Sequence, residues 1–121
     1  SMTFKISGAI FKNTAEKLKQ RFGDRYDANK KYPDVSGVFG IKEADRQALV
    51  DYVSNAVANE NGEIQLQVSG YNNVSKAGLK YLGLAIEADW KTLQNMQNKE
   101  VDSFVKATNG QVVPAFDDEL L

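Results

Sequence analysis

Apolar and polar residues alternate along three segments of the chain, 3–12, 62–70 and 79–88. Successive side chains of a β-strand point to opposite faces, so a period of two predicts a strand with one apolar and one polar face. A fourth strand is predicted over 35–41, directly after the turn signal at 32–34. The apolar positions, which we expect to build the core, are Phe4, Ile6, Ile10, Ile64, Leu66, Val68, Leu82, Leu84 and Ile86.

The polar faces of these predicted strands also carry aromatic residues. Phe11, Tyr71 and Tyr81 alternate with the apolar set and have small or amide neighbours, so folding does not require them there. Aromatic side chains on the outer face of a sheet hold unstacked bases in proteins that bind single-stranded nucleic acid. Nucleic-acid binding is therefore the first hypothesis.

Helical spacing appears in other parts of the chain. Apolar residues recur on one stripe of 42–58, which predicts a helix between strands. A short helix is predicted over 14–22, with Gly23 as its stop. The remainder of 13–31 and the stretch 71–78 are predicted as loops, and 89–108 fits either a helix or a last strand with a helix. Trp90 is expected to pack inside, and the alternative is that it stacks on a base.

These elements predict a mainly β fold with one or two helices. A five-stranded Greek-key barrel of the oligonucleotide-binding (OB) type commonly carries one helix, which matches the helix 42–58. Ferredoxin-like and SH3-like folds are the alternatives. The length of 121 residues fits one domain, here 1–108, followed by an acidic tail at 109–121.

Composition excludes several kinds of chemistry. The chain has no cysteine and no histidine, so disulfides, Cys/His zinc sites and imidazole-based catalysis are absent. Carboxylate-only catalysis would need a rigid acidic pocket, and no spacing supports one, so we expect no enzyme, cofactor or metal. No apolar run approaches the roughly 20 residues of a membrane span. With Ser1 interpreted as a remnant of tag cleavage and no signal pattern, a cytoplasmic location is expected.

Charge is distributed unevenly, although the net charge is only −1. Residues 1–42 hold nine Lys/Arg and four Asp/Glu, whereas residues 43–121 hold six and twelve. The segment 13–31 alone carries six basic residues. This asymmetry predicts a basic binding region and an acidic region that repels the same ligand or attracts a protein.

Three stretches resemble small phage and prophage proteins related to single-stranded DNA-binding proteins. Residues 7–13, SGAIFKN, resemble the opening "SGxLFKN" of that family, and 31–41 resemble its "HPDYxGxxxI". Residues 69–86 are similar to "xGWxxxxKxGxKYLSLxI", in the same order along the chain. This chain departs from the pattern with Tyr71 for the family's Trp, Tyr32 for its His and Val35 for its Tyr.

The resemblance implies a phage-type protein that coats single-stranded DNA during replication, recombination or repair in the host cytoplasm. An acidic tip that recruits replication or recombination proteins would lie at Phe116, Asp117, Asp118, Glu119, Leu120 and Leu121. A homodimer is compatible with it. The expected nucleic-acid-binding residues are Lys5, Phe11, Lys12, Arg21, Arg25, Lys31, Tyr32, Tyr71, Lys76, Lys80 and Tyr81.

Two questions stay open at this point. An aromatic surface does not itself distinguish DNA from RNA. The alternative function is a protein-interaction module, such as a phage factor that binds a host or phage enzyme through a sheet edge or the helix 42–58.

Overall fold

A four-stranded antiparallel sheet is the centre of the computed structural model, which describes residues 2–108. The strands are β1 (Ile6–Lys12), β2 (Val35–Ile41), β3 (Leu66–Val74) and β4 (Lys80–Ala88). Their order across the sheet is β2-β1-β4-β3, so β2 and β3 form the two edges.

The strand register sorts the side chains onto two chemically different faces. Ile6 pairs with both Ile41 and Ile86, and Val68 also pairs with Ile86. Aliphatic side chains therefore lie next to one another across all four strands. We call one side the aliphatic face, formed by Ile6, Ile10, Phe39, Ile41, Leu66, Val68, Val74, Leu82, Leu84 and Ile86. We call the other the aromatic face, formed by Ser7, Ala9, Phe11, Ser36, Val38, Ser69, Tyr71, Asn73, Tyr81, Gly83 and Ala85.

Three helices accompany the sheet: α1 (Ala15–Phe22), α2 (Arg46–Asn55) and α3 (Trp90–Ala107), with 3-10 turns at Gly23–Arg25 and Glu43–Asp45. The first turns of α1 and α3 are capped by side chains of the types that commonly cap helices. The Thr14 hydroxyl accepts from the Lys17 amide, and the Asp89 carboxylate accepts from the amide of Thr92. Among residues 2–108, no helix is both long and apolar enough to cross a membrane.

Among residues 2–108, Tyr52 of α2 is the largest fully buried side chain, with none of its surface exposed. Its ring packs against Phe4, with ring centres 5.6 Å apart. Its hydroxyl donates to the Gln65 carbonyl just before β3 and accepts from the Asp89 amide at the start of α3. One side chain therefore joins α2, the approach to β3 and the first turn of α3.

Strands β1 and β2 approach each other too closely for side chains at two positions. A Cβ on Gly37 would lie 1.8 Å from the Ala9 carbonyl oxygen, and one on Gly8 would lie 2.3 Å from that of Val38. Neither contact involves a flexible side chain that could move away. Gly8 is paired regularly with Phe39, and its lack of a side chain is needed for this approach.

The structure confirms a mainly β fold and the predicted strands, with shifted limits. Residues 71–74, predicted as loop, continue β3, and the turn to β4 is confined to 75–79. The four described strands form an open sheet, and the five-stranded closed barrel stays a prediction. The segment 89–108 is a helix, so there are three helices where one or two were expected.

The expected core is only partly formed. The described hydrophobic residues that are fully buried are Phe4, Leu18 and Tyr52, whereas Leu66, Val68 and Leu82 of the aliphatic face are exposed. The helix predicted at 42–58 is confirmed but ends at Asn55, because Ala56 is already extended. The tail at 109–121 lies outside the described residues.

We expect Gly37→Ala to destabilise the fold by about 1–3 kcal/mol, because the new methyl group would force the two strand backbones apart. Urea unfolding followed by circular dichroism measures this. Gly40→Ala is the matched control on the same strand, since a Cβ there meets nothing within 4 Å. Equal stability of both variants would contradict the close approach of β1 and β2.

We expect Tyr52→Phe to lower the free energy of unfolding by about 1–3 kcal/mol. The substitution keeps the ring but leaves the Gln65 carbonyl and the Asp89 amide without their partner. Tyr71→Phe removes a hydroxyl from an exposed ring and should leave stability unchanged in the same urea titration. A neutral Tyr52→Phe would mean that the hydroxyl does not hold the three segments together.

Candidate nucleic-acid interface

The three aromatic residues singled out in the sequence lie on one face of the sheet. Phe11 is on β1, Tyr81 on the adjacent β4, and Tyr71 on the edge strand β3, directly opposite Gly83. Because partners in an antiparallel ladder point to the same side, the register places all three rings on the aromatic face. The expectation from strand alternation is confirmed at this level.

The rings differ in how freely they meet solvent. Phe11 and Tyr81 are half-buried and stack on each other, with ring centres 4.9 Å apart and planes 24° apart. Tyr71 is 68% exposed. Phe11 and Tyr81 thus form a fixed aromatic pair, and Tyr71 is a separate, accessible ring.

The floor between the rings is made of small residues. A shallow depression is lined by Tyr71, Tyr81, Lys5 and the small or amide residues around them, Ser7, Gly8, Ala9, Asn73, Gly83 and Ala85. The Asn73 amide lies over Gly83, where a Cβ would come within 2.8 Å of it. A flat group can therefore lie against this face without meeting a bulky side chain in the floor.

A basic groove runs beside the aromatic pair, between the sheet and α1. Its residues, as far as the chain is described, include three cations and no carboxylate. They are Ala9, Phe11, Lys12, Asn13, Lys17, Arg21, Ser36, Gly37 and Val38.

Asn13 fixes the shape of this groove. Its backbone amide donates to the Asp34 carbonyl, its side-chain amide donates to the Pro33 carbonyl, and its side-chain oxygen accepts from the Ser36 hydroxyl. These bonds hold the end of β1 against the start of β2. The Lys17 ammonium donates to the Lys12 carbonyl at 3.4 Å, which draws the first turn of α1 towards the same place.

Lys17 is a groove residue that sequence reasoning missed. It is one helical turn before Arg21, and residues four apart on a helix lie on the same side. The signal that could have found it is therefore the spacing of the two cations within the predicted helix 14–22.

The basic stretch after α1 is folded rather than an extended loop. The Tyr32 ring lies between Phe22 and Tyr26, at 5.3 and 5.5 Å between ring centres, and its hydroxyl accepts from the Asp27 amide. Arg25 lies over the Phe22 ring at 5.9 Å. We call Phe22, Tyr26 and Tyr32 the arm cluster.

Two residues predicted to contact nucleic acid, Tyr32 and Arg25, are thus engaged within the arm cluster. Lys19 and Lys30 lie over its other two rings, both at 5.8 Å from the ring centre. Lys19, Arg25 and Lys30 are exposed, so they are available to phosphate although the Tyr32 ring packs against Phe22 and Tyr26.

The remaining predicted lysines are not all on the aromatic face. Lys80 pairs with Val74 and follows the alternation of Leu82, which places it on the aliphatic face. Lys12, at the end of β1, borders depressions on both faces. Lys76 is in the turn between β3 and β4, and Lys31 is exposed in the segment before β2.

Trp90 differs from expectation. It was predicted to pack inside, but it is 61% exposed at the first position of α3. Its backbone amide donates to the side chain of Gln67, at 3.4 Å. The indole is therefore accessible, and the backbone of Trp90 lies beside Gln67 of β3.

In residues 2–108, no group of three or more His, Cys, Asp or Glu side chains is placed to hold a metal ion. Comparison of the chain with models of known protein families, with curated proteins and with solved structures gives no match. Any function assigned to this chain therefore depends on its residues and their geometry.

We expect the stacked pair and the free ring to contribute differently to stability. Phe11→Ala should lower the free energy of unfolding by more than 1 kcal/mol, since it removes a half-buried ring and its stacking partner's contact. Tyr71→Ala should cost less than about 0.5 kcal/mol because the ring is mostly exposed. Urea unfolding of the two variants measures the difference, and equal losses would place Tyr71 in the core.

Proposed function

We propose that this protein binds single-stranded DNA without strong sequence preference, on the aromatic face and in the basic groove beside it. One observation carries the proposal. Phe11, Tyr71 and Tyr81 share a face of the sheet on which the neighbouring residues have small side chains. A groove with three cations and no described carboxylate borders that face.

Stacking is the first part of the proposed mechanism. Every base has a π-face, so an aromatic ring holds bases of any sequence, at about 1–3 kcal/mol per stacked base. The exposed Tyr71 ring offers itself for such stacking, and the exposed Trp90 indole could add to it. The Phe11–Tyr81 pair, with one ring supporting the other, offers a second position.

Phosphate contact is the second part. Lys12, Lys17 and Arg21 line the groove, and Lys5 borders the depression that holds Tyr71. Cations that neutralise phosphates release condensed counterions, which makes the affinity fall as salt rises. A strand with its bases on the rings and its backbone in the groove would use both sets of residues.

The proposal includes a fold of the OB type, in which one face of a curved sheet is the ligand face. The four described strands supply such a face, and a fifth strand with barrel closure remains a prediction. Resemblance to small phage single-stranded DNA-binding proteins supports the same function. A role in phage replication, recombination or repair, and recruitment of partner proteins by Phe116–Leu121, are parts of the proposal that follow from that resemblance.

Fluorescence anisotropy of a labelled oligo-dT strand tests the proposal. Tyr71→Ala should weaken binding about tenfold or more, as loss of one stacked base predicts. Val53→Ala, an exposed apolar truncation on α2, is the control and should bind as the wild type does. Wild-type protein that fails to bind oligo-dT at low salt would contradict the function, whereas binding that is unaffected by Tyr71→Ala would move the site elsewhere.

Salt dependence tests the groove separately. Lys17→Gln and Arg21→Gln should each reduce the slope of log affinity against log salt by about 0.7, the value for one phosphate contact on a single strand. Lys99→Gln on α3 removes a cation outside the groove and should leave the slope unchanged. Duplex DNA of the same length should bind more weakly, and equal affinity for duplex and single strand would contradict the stacking mechanism.

A further inference from the structure

The outer edge of β3 has none of the features that keep an edge strand unpaired. Its nine residues, Leu66–Val74, include no charged residue and no proline. Proteins commonly use short length, charge, proline or a bulge to protect such an edge. Within residues 2–108, β3 pairs only with β4, so its other side is open.

The same strand also exposes aliphatic side chains on a single face. Val68 is 60% exposed and Val74 64% exposed, and Leu66 is exposed on the same side. Leu82 of the neighbouring strand β4 is exposed beside them. Together with Leu82 these side chains form an exposed apolar strip along the open edge, interrupted at Gly70 and Asn72. Exposed apolar surface of this kind is typical of a site that another protein covers.

We propose that this edge joins two copies of the chain, with β3 of each copy pairing antiparallel about a two-fold axis near Gly70. Such an interface is closed and self-complementary, because every contact between one residue of the first copy and another residue of the second occurs twice. A register centred on Gly70 places Leu66 opposite Val74 of the partner subunit. The two apolar strips then lie side by side on one face of an eight-stranded sheet.

The charges that flank the strand fit this arrangement. Glu63 precedes β3 and Lys76 follows it, both of them exposed. Antiparallel pairing brings Glu63 near Lys76 of the partner subunit at both ends of the interface. The strand between them is uncharged, so no like charges oppose pairing, and the flanking charges favour the antiparallel direction.

The other edge of the sheet fits less well. β2 exposes Val35 and Val38, but these residues are an odd number of positions apart and therefore lie on opposite faces. On the aliphatic side Val35 is exposed while Phe39 and Ile41 are half-buried, so each face of β2 has one exposed apolar side chain rather than an exposed apolar strip. The structure favours a closed β3–β3 pair over a chain of copies joined through β2 and β3.

This proposal does not depend on DNA binding, and its test uses the full chain without DNA. Light scattering on a sizing column should give a mass of twice the 13.4 kDa of one chain. Val68→Lys should raise the dimer dissociation constant by tenfold or more, since it places charge in the centre of the strip. Val50→Lys on α2, which adds the same charge at an exposed valine, should remain dimeric. A wild-type mass of one chain over a roughly hundredfold range of concentration would overturn the proposal.

Cysteine cross-linking identifies the edge even if Val68→Lys fails to fold. The chain has no cysteine of its own, so one introduced thiol reports one position. The proposed register places the Cα atoms of the two Ser69→Cys residues about 8 Å apart, which is too far for a disulfide. A short bis-maleimide should therefore link the two thiols and give a covalent dimer. Ser36→Cys, a half-buried serine of the same face on β2, should remain monomeric on a denaturing gel. Cross-linking of Ser36→Cys alone, or a ladder of larger species, would overturn the β3–β3 pair.

Discussion

The rest of this fold depends on the burial of one tyrosine. Tyr52 brings α2 against Phe4, and its hydroxyl joins the approach to β3 with the start of α3. The Asp89 amide donates to the Tyr52 hydroxyl. The Asp89 carboxylate in turn accepts from both the amide and the hydroxyl of Thr92. Because Thr92 is itself buried, this polar network anchors two helices at one end of the sheet.

The two faces of the sheet differ in chemistry, and each of the two proposals uses a different face. The aliphatic face offers side chains that gain free energy only by leaving water, which an apolar protein surface allows and a hydrated phosphate backbone does not. The aromatic face offers rings, small residues and a border of cations, a combination suited to a flat base with an anionic backbone. The register keeps these properties apart, so a nucleic acid and a second copy of the chain would not compete for one surface.

Local periodicity explains what could be predicted from the sequence. Alternation placed Phe11, Tyr71 and Tyr81 on one side correctly, because the period of a strand is a property of the backbone alone. The same alternation puts Lys80 on the opposite face, so the sequence alone argues against placing Lys80 in one site with these rings. The pair Asn72-Asn73 favoured a turn, but pairing with β4 overrides that local preference. The exposure of Trp90, the links of Tyr52 and the arm cluster depend on residues distant in sequence, which no local pattern contains.

A two-fold β3–β3 pair would constrain how the proposed DNA site works. An axis perpendicular to the sheet keeps the two aromatic faces on the same side, with Tyr71 of each copy next to the shared edge. It also reverses the direction of one sheet relative to the other.

A single DNA strand has a direction, so a straight strand could not make identical polar contacts with both copies. Base stacking tolerates that reversal better than the groove contacts do, because a ring has no preferred strand direction, whereas Lys17 and Arg21 are placed for one path of the backbone. The dimer would therefore hold two strand segments running in opposite directions, one in each basic groove, or a single strand that turns back between them.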